Sequence, residues 1–416
     1  MDLLFNKGGT LVKILVFIAK ESEVENLGLM YLATIAQNYG YEPILLKDSG
    51  QLTVEEILDQ RPSIVGFQIF TGYHKRMFQL ADQVRATGTF VMIGGPHATY
   101  FFDECEKHAD HVYKGEAITT FLTPNYFSQE LLNPEEWPFP YRGWFNGKIQ
   151  NIMTSFGCVK HCSYCYNSQW QEMYDHYQVR QRSVDSVLKE AEQCSGKLIF
   201  FQDDFFGWNI KWLREFAQKW NRPYHCQLRI DAVNEERIEL LKKSGCTGVT
   251  YAIESANEDI RKNILHRAVS DDRLWEKAKL IRESGLAVRT EQMLGIPTST
   301  LEDELRLLEL NCFLKPQIAW SSIYQPYRGT WLGEWCIKNG WYQGNNDDID
   351  NTFFKSTRLN FSAERKVEIE RLQEVFNLCS KFDQGQVVAK SYIESGDFKT
   401  LLSKTREISY DSLYRN

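Results

Sequence analysis

Three cysteines fall within eight residues, in the run Met153-Thr154-Ser155-Phe156-Gly157-Cys158-Val159-Lys160-His161-Cys162-Ser163-Tyr164-Cys165-Tyr166-Asn167. An apolar, β-prone stretch precedes them, and Gly157 lets the backbone turn. Such a loop can wrap three thiolates round one small inorganic object. A [4Fe-4S] cluster has four irons, each wanting one external ligand, so three thiolates leave one iron open to a non-protein molecule. Zinc would want a fourth ligand; His161 lies inside the loop, but the spacing is not that of paired zinc-binding cysteines and no second pair follows. The remaining alternative is three packing cysteines with no cofactor.

The elements that must hold this loop alternate in type. Strands are expected at Ile152–Ser155, Lys197–Gln202, His225–Ile230, Gly248–Glu254, Ala287–Leu294 and Ile318–Tyr324, with helices at Val184–Gln193, Ile210–Trp220, Glu235–Ser244, Asp272–Ser284 and Leu301–Asn311. Six strands are too few for a closed eight-stranded barrel, so an open one is expected, with its chemistry at the carboxyl ends of the strands. Those ends are polar: Gln202-Asp203-Asp204, Arg229-Ile230-Asp231, Glu254-Ser255, Met293-Leu294-Gly295 and Tyr324-Gln325. An acid at a strand end is also a common helix cap, a role open to Asp204 and Ser255. Arg261, Arg267 and Arg289 are candidates for pairing with a carboxylate.

Before the loop lies a second alternating pattern. Strands are expected at Leu11–Ile18, Glu42–Leu46, Ser63–Phe70, Phe90–Ile93 and His111–Tyr113, with helices at Leu29–Tyr39, Thr53–Gln60 and His74–Arg85. This is the signature of a doubly wound parallel sheet, which binds ligands at its strand ends. Those ends carry Thr71-Gly72, then Gly94-Gly95-Pro96-His97-Ala98-Thr99, then Lys114-Gly115-Glu116; small residues there admit a large flat ligand. Residues 124–150 are proline-rich and aromatic, the mark of an interdomain connection. Beyond Trp331 the chain turns aromatic, then acidic, then helical over Ala363–Lys381, with helix and tail from Lys390 to Asn416.

Composition sets the outer limits. The 416 residues suffice for two or three cores, and 43% hydrophobic with 25% charged residues is ordinary for a globular protein. A net charge of -7 argues against a general nucleic-acid binder. No signal-peptide pattern and no apolar run long enough to span a bilayer is seen, so a cytoplasmic location is expected. The seven other cysteines follow no disulfide framework.

Cys158-x3-Cys162-x-Tyr164-Cys165 resembles the signature of the radical S-adenosylmethionine superfamily, and the strand-end motifs resemble those of the same family in the same order. The N-terminal pattern Asn26-Leu27-Gly28-Leu29-x-Tyr31-Leu32-Ala33 and the Ile93-Gly94-Gly95-x-His97-x-Thr99 turn resemble the cobalamin-binding domain of its cobalamin-dependent members. The resemblance implies a Rossmann-like cobalamin domain at 1–123, a connection at 124–150, an open six-stranded radical S-adenosylmethionine barrel at 151–330 and a cap at 331–416. It implies a [4Fe-4S] cluster on Cys158, Cys162 and Cys165. It places S-adenosylmethionine near Tyr164, Gln202, Asp203, Asp204, Arg229, Glu254, Ser255, Arg267, Gly295 and Gln325, and cobalamin near Asn26, Gly28, Thr71, Gly94, Gly95, His97, Thr99, Gly115 and Glu116.

This chain departs from the family pattern in places: Ala252 and Ala256 replace glycines, Thr298-Ser299-Thr300 stands for Gly-Glu-Thr, Arg328 replaces a proline, and no Asp-x-His-x-x-Gly motif offers a histidine to cobalt. The implied activity is methyl transfer to an unactivated carbon of a small molecule or a peptide or protein side chain through a 5'-deoxyadenosyl radical, with a reductant such as flavodoxin or ferredoxin. The rivals are a non-methylating radical reaction on the same scaffold and a non-catalytic iron-sulfur or zinc binding protein.

Overall fold

β1 (Lys13–Lys20) has five consecutive buried residues, Leu15–Ala19, because both its faces are covered. The computed structural model describes residues 13–397 apart from Glu23 and Asn146, so Leu11 and Val12 of the expected first strand, and the expected tail beyond 397, lie outside the described residues. β1 is the centre of a five-stranded sheet with β2 (Tyr41–Asp48), β3 (Ile64–Gln68), β4 (Phe90–Gly94) and β5 (His111–Val112). The order is β2-β1-β3-β4-β5 and every pairing is parallel. Alternate residues feed two cores: Val16, Ile18, Val65 and Phe67 pack with Met77 and Ala81, whereas Leu15, Phe17, Ile64 and Met92 pack with Leu29 and Ala33. The strand order reverses between β1 and β3, so the crevice outside their carboxyl ends is the place where such sheets take ligands. Two short helices, Pro96–Tyr100 and Phe102–Cys105, were not expected from the sequence; neither is long enough to show a period.

The strand expected at Ile152–Ser155 is split. β6 (Ile149–Ile152) runs earlier, and β7 (Ser155–Phe156) pairs antiparallel with β8 (Arg180–Gln181), leaving Met153 and Thr154 between them. The second sheet adds β9 (Leu198–Phe201), β10 (Tyr224–Leu228), β11 (Cys246–Glu254), β12 (Ala287–Leu294) and β13 (Ile318–Ile323), in the order β13-β12-β11-β10-β9-β6. β9 to β13 are all parallel, and six strands in an open curve are what the sequence predicts. Their helices start where a side chain caps them: Asn209, Asn234, Ser270 and Thr300 each accept from a first-turn N–H, and Thr300 with Asp303 forms a reciprocal box. Helices at Trp331–Lys338, Ala363–Cys379 and Gly385–Ser395 follow.

The chain divides into two compact units, one of residues up to Phe156 with Trp170–Lys197, the other of Gly157–Gln169 with the residues from Leu198 on. Within the first unit a buried charge network had no sequence signal. Arg142 donates to Glu25 (3.1 Å), Glu190 (2.5 Å) and the Asn151 carbonyl (2.9 Å), and Arg182 also pairs with Glu190. Among the described residues no helix is long and apolar enough to cross a membrane.

Candidate active site

The cysteine loop is held at its middle. Ser163 N donates to Leu265 O (3.2 Å), its hydroxyl donates to Ile264 O, and its carbonyl accepts from Leu332 N (2.8 Å). Gly157 enters the loop at φ 93°, a conformation open to glycine, and Cys165 N closes a turn on Cys162 O at 3.1 Å. None of the ten cysteines is in a disulfide. Cys158 and Cys162 are buried and Cys165 half-buried. Burial raises the Cys158 thiol and pushes Cys165 up to about 12, with the Asp204 carboxylate adding to both.

N–H groups already face each of these sulfurs: Arg229 Nη1 lies 3.7 Å from Cys162 Sγ, Asn167 N lies 3.4 Å from Cys165 Sγ, and the Lys160 backbone N–H bonds Cys158. Arg229 is itself gripped by Asp231 through Nε (3.0 Å) and Nη2 (3.2 Å), and Asp231 takes Lys160 Nζ at 3.1 Å. The Arg-x-Asp motif at the end of β10 is therefore a clamp that sets a guanidinium on a cysteine sulfur. Asp204 keeps exposed surface although protein surrounds it, the state of a residue lining a concavity; burial raises its pKa against a hydrogen bond from Asn167. Its neighbour Asp203 is fully buried and Gln202 half-buried. A loop of three thiols flanked by N–H donors and a cation fits the anionic sulfurs of an iron-sulfur cluster.

A second group stands at the end of β11. Tyr164 donates to Glu254 Oε1 at 2.7 Å, and Arg267 donates to Tyr164 Oη (3.1 Å) and to Ala252 O (2.8 Å), its Nη1 lying 3.8 Å from Glu254 Oε1. Glu254 has φ 68°, a backbone state that costs a non-glycine residue about 1–3 kcal/mol and tends to mark functional positions. Burial raises both the Glu254 carboxyl and the Tyr164 hydroxyl, so the triad shares charge in a dry setting. Ser255 turns inward, its hydroxyl accepting from Asn257 N at 3.2 Å. Arg261 is tied to Ser255 O, Val269 O and Asp271 and shapes the turn after β11.

Gly295 has φ 67°, and its N–H donates to Glu304 (2.7 Å), a buried carboxylate that also takes Ser299 and Arg365. Gln325 is 3% exposed; its amide donates to Ser356 O at 3.0 Å, while its Oε1 finds no donor among the described residues. Sequence reasoning missed Asn167, Glu304 and Lys160. Asn167, two residues past the third cysteine, and Lys160, between the first and second, had a local signal; Glu304 had none.

In the first unit, Asn26 caps its helix through Leu29 N (3.2 Å) and takes Gln68 Nε2 at 3.1 Å, joining the start of the helix after β1 to the end of β3. His97 is fully buried; it bonds Thr71 Oγ1 (2.9 Å), stacks on His74 at 4.4 Å and lies 3.4 Å from Glu104. Thr99 binds Gly95 O (3.0 Å) and accepts from Gly115 N (3.1 Å). Glu116 is bidentate to Arg180 at 2.8 and 2.6 Å. His97, Thr99 and Glu116 thus have internal partners and shape the sheet edge.

The glycines separate the same way. A Cβ on Gly95 would lie 3.0 Å from Ile69 N and O, and one on Gly115 would overlap Tyr174 Oη, so packing requires both glycines. At Gly28 and Gly94 the nearest atoms would be 3.7 and 3.8 Å away, so packing leaves their missing side chains unexplained. Bare positions at the start of the helix after β1 and at the end of β4, both on the carboxyl-end side of the sheet, fit a large flat ligand such as cobalamin.

Two family models match the chain: the Radical SAM superfamily over residues 152–310 and the B12 binding domain over 14–123. An uncharacterized methyltransferase of Pyrococcus horikoshii is 24% identical over 75% of this chain and 78% of its own length. The radical S-adenosylmethionine methyltransferase TsrM from Kitasatospora setae, solved with cobalamin and a [4Fe-4S] cluster, shares the fold at a TM-score of 0.60 and 17% identity, covering 79% of each chain. OxsB, a cobalamin-dependent S-adenosylmethionine radical enzyme solved with aqua-cobalamin, shares it at 0.66 and 13% identity over 96% of this chain and 76% of its own. The chain belongs to the cobalamin-dependent branch of the radical S-adenosylmethionine enzymes.

Proposed function

We propose that this protein is a methyltransferase that places a methyl group on an unactivated carbon. The single observation that carries this reading is the meeting of three cysteine thiols, Asp204 and the Asp231-gripped Arg229 at the strand ends of a half barrel, in a chain whose other sheet leaves Gly28 and Gly94 bare on its carboxyl-end side. Methyl transfer is the activity named for the Pyrococcus horikoshii relative and for TsrM. When bound, the cluster and S-adenosylmethionine supply one-electron bond cleavage and cobalamin supplies the methyl group.

The chain's own residues bind and orient. Cys158, Cys162 and Cys165 are the residues that would hold the cluster, leaving one iron open to S-adenosylmethionine. Asp204 sits where it would meet the amino group of the methionine moiety, and the Tyr164–Glu254–Arg267 triad forms the wall toward the nucleoside. Gln325 Oε1 is the unpaired acceptor that an amino group would satisfy. Gly28 and Gly94 leave room for the corrin, and the positions of Thr71, His97, Thr99 and Glu116 support a structural role for them there. The domain division follows: cobalamin binding at 1–123, connection at 124–150, barrel at 151–330 and cap at 331–416. A small reducing protein such as flavodoxin or ferredoxin supplies the electron, in the cytoplasm.

The test is anaerobic reconstitution with iron, sulfide and cobalamin, then S-adenosylmethionine and a reductant. 5'-Deoxyadenosine and S-adenosylhomocysteine should both form, the second only with cobalamin. Formation of 5'-deoxyadenosine alone would move the reading to a non-methylating radical enzyme, and neither product from an intact cluster would refute it.

A further inference from the structure

The inner face of the half barrel carries charge below the strand ends. Strands in parallel register turn paired residues to the same side, so His225, Gly248 and Ala287 form one layer, Gln227, Thr250, Arg289 and Ile318 the next, and Ala252, Glu291 and Trp320 the third. Alternate residues of β12 facing its helices are buried, whereas Arg289, Glu291 and Met293 are half-buried, as expected of an open concavity. Arg289 stands five residues before the end of β12, about 16 Å down the strand. Its guanidinium lies over the Trp320 ring at 4.5 Å, and its Nη2 pairs with Glu291 at 3.0 Å. Its Nε is buried and finds no acceptor among the described residues. One layer away, His225 bonds Thr250 Oγ1 at 2.8 Å and sets its ring against Phe200. Burial, then the Arg289 charge, lowers His225 to about 4, so near neutral pH this group of side chains carries one positive and one negative charge.

We propose that this lumen recognises the α-amino and α-carboxylate groups of a free amino-acid substrate, with Arg289 taking the carboxylate, Glu291 the ammonium and Trp320 forming the wall. The proposal rests on the reading above that the barrel houses a radical reaction. A lone anion entering here would bind Arg289 beside an unpaired Glu291, and a lone cation would strand Arg289; each leaves a charge poorly compensated in a half-dry site. A zwitterion replaces each partner with its own opposite charge. Its two groups sit on one carbon, matching side chains that already touch, and the planar guanidinium of Arg289 suits a carboxylate. S-Adenosylmethionine offers the same chemistry through its methionine moiety, but its expected contacts Asp204, Arg229 and Glu254 stand at or beyond strand ends. Glu291 pairs in register with Ala252, two residues before Glu254, so the two sites adjoin.

The test is calorimetric titration of the full chain, cluster-reconstituted and saturated with S-adenosylmethionine, with a panel of free proteinogenic L-amino acids. At least one should bind, and its N-acetyl and α-amide derivatives should each bind roughly tenfold or more weakly. R289Q should erase the discrimination against the amide, and E291Q that against the N-acetyl form. The capped series on the unaltered protein tests the idea even if a variant fails to fold. Absence of binding across the panel, equal binding of capped forms, or unchanged discrimination in both variants would overturn the proposal. Displacement of S-adenosylmethionine by the amino acid would also overturn it, assigning the pair to the methionine moiety. Reductant-dependent 5'-deoxyadenosine formation without amino acid, measured in parallel, stands or falls with the radical reading alone and so separates the two failures.

Discussion

Replacing Arg229 by glutamine should lower the midpoint potential of the reconstituted cluster. The guanidinium lies 3.7 Å from Cys162 Sγ, and a unit charge at that distance in an effective dielectric near 20 is worth about 4–5 kcal/mol. Asp231 holds that guanidinium at 3.0 and 3.2 Å and opposes its field, but R229Q removes the guanidinium alone and leaves the carboxylate, so the lost term is at most about 4–5 kcal/mol, or roughly 200 mV for one electron. A positive neighbour favours the reduced, more negative cluster, so R229Q shifts the potential down. D231N removes the opposing charge and should shift it up. The assay is a redox titration followed by electron paramagnetic resonance on anaerobically reconstituted protein, with cluster content matched between variants. Shifts of the same sign in both variants, or none in either, would refute the electrostatic reasoning.

Three further outcomes follow from the same geometry. C158A, C162A and C165A should each lose the cluster's visible absorbance and S-adenosylmethionine cleavage, whereas C105A, at a buried thiol of the other sheet, should retain both. R142M should destabilise the first unit by about 3–5 kcal/mol, because it leaves Glu25 buried without its cation; a denaturant midpoint unchanged within error would contradict this. Burial alone would raise the Asp48 carboxyl, but hydrogen bonds from Arg76, Leu52, Gly50 and Tyr73 outweigh it and hold it below the ordinary aspartate value. The stability it contributes is therefore present above that value and lost as pH falls through the lower folded one. D48N should flatten that part of the acid-unfolding profile, and an unchanged profile would remove Asp48 from the account.

What the sequence reveals here is what repeats locally. Strands with a run such as Leu15–Ala19, and helices with a cap such as Thr300, announce themselves within ten residues, and the cysteine spacing is a local pattern too. Strand ends were legible because the sheet order puts polar residues there. The partners that fix each side chain were not: Glu304 meets Arg365 across some sixty residues, and Glu116 meets Arg180 across 64. No period links such pairs, so the sequence offered Glu116 as a ligand contact while the fold makes it half of an ion pair. Ser255 differs again, since its inward turn depends on Asn257 and only the folded loop shows it. β6 and β7 replaced one expected strand because the apolar run 152–156 is continuous in composition while its hydrogen bonds change partner midway.

The interleaving of the two units bears on how such a chain can be inherited. The first unit closes only when Trp170–Lys197 returns to it after the cysteine loop has been given to the second. A single recombination point between Ile152 and Arg180 would part Arg180 from Glu116 and Glu190 from Arg142. Exchanging one unit for that of another protein takes three junctions, after Phe156, Gln169 and Lys197. The two halves are therefore expected to travel through descent as one heritable block, with new substrates reached by substitution inside the barrel.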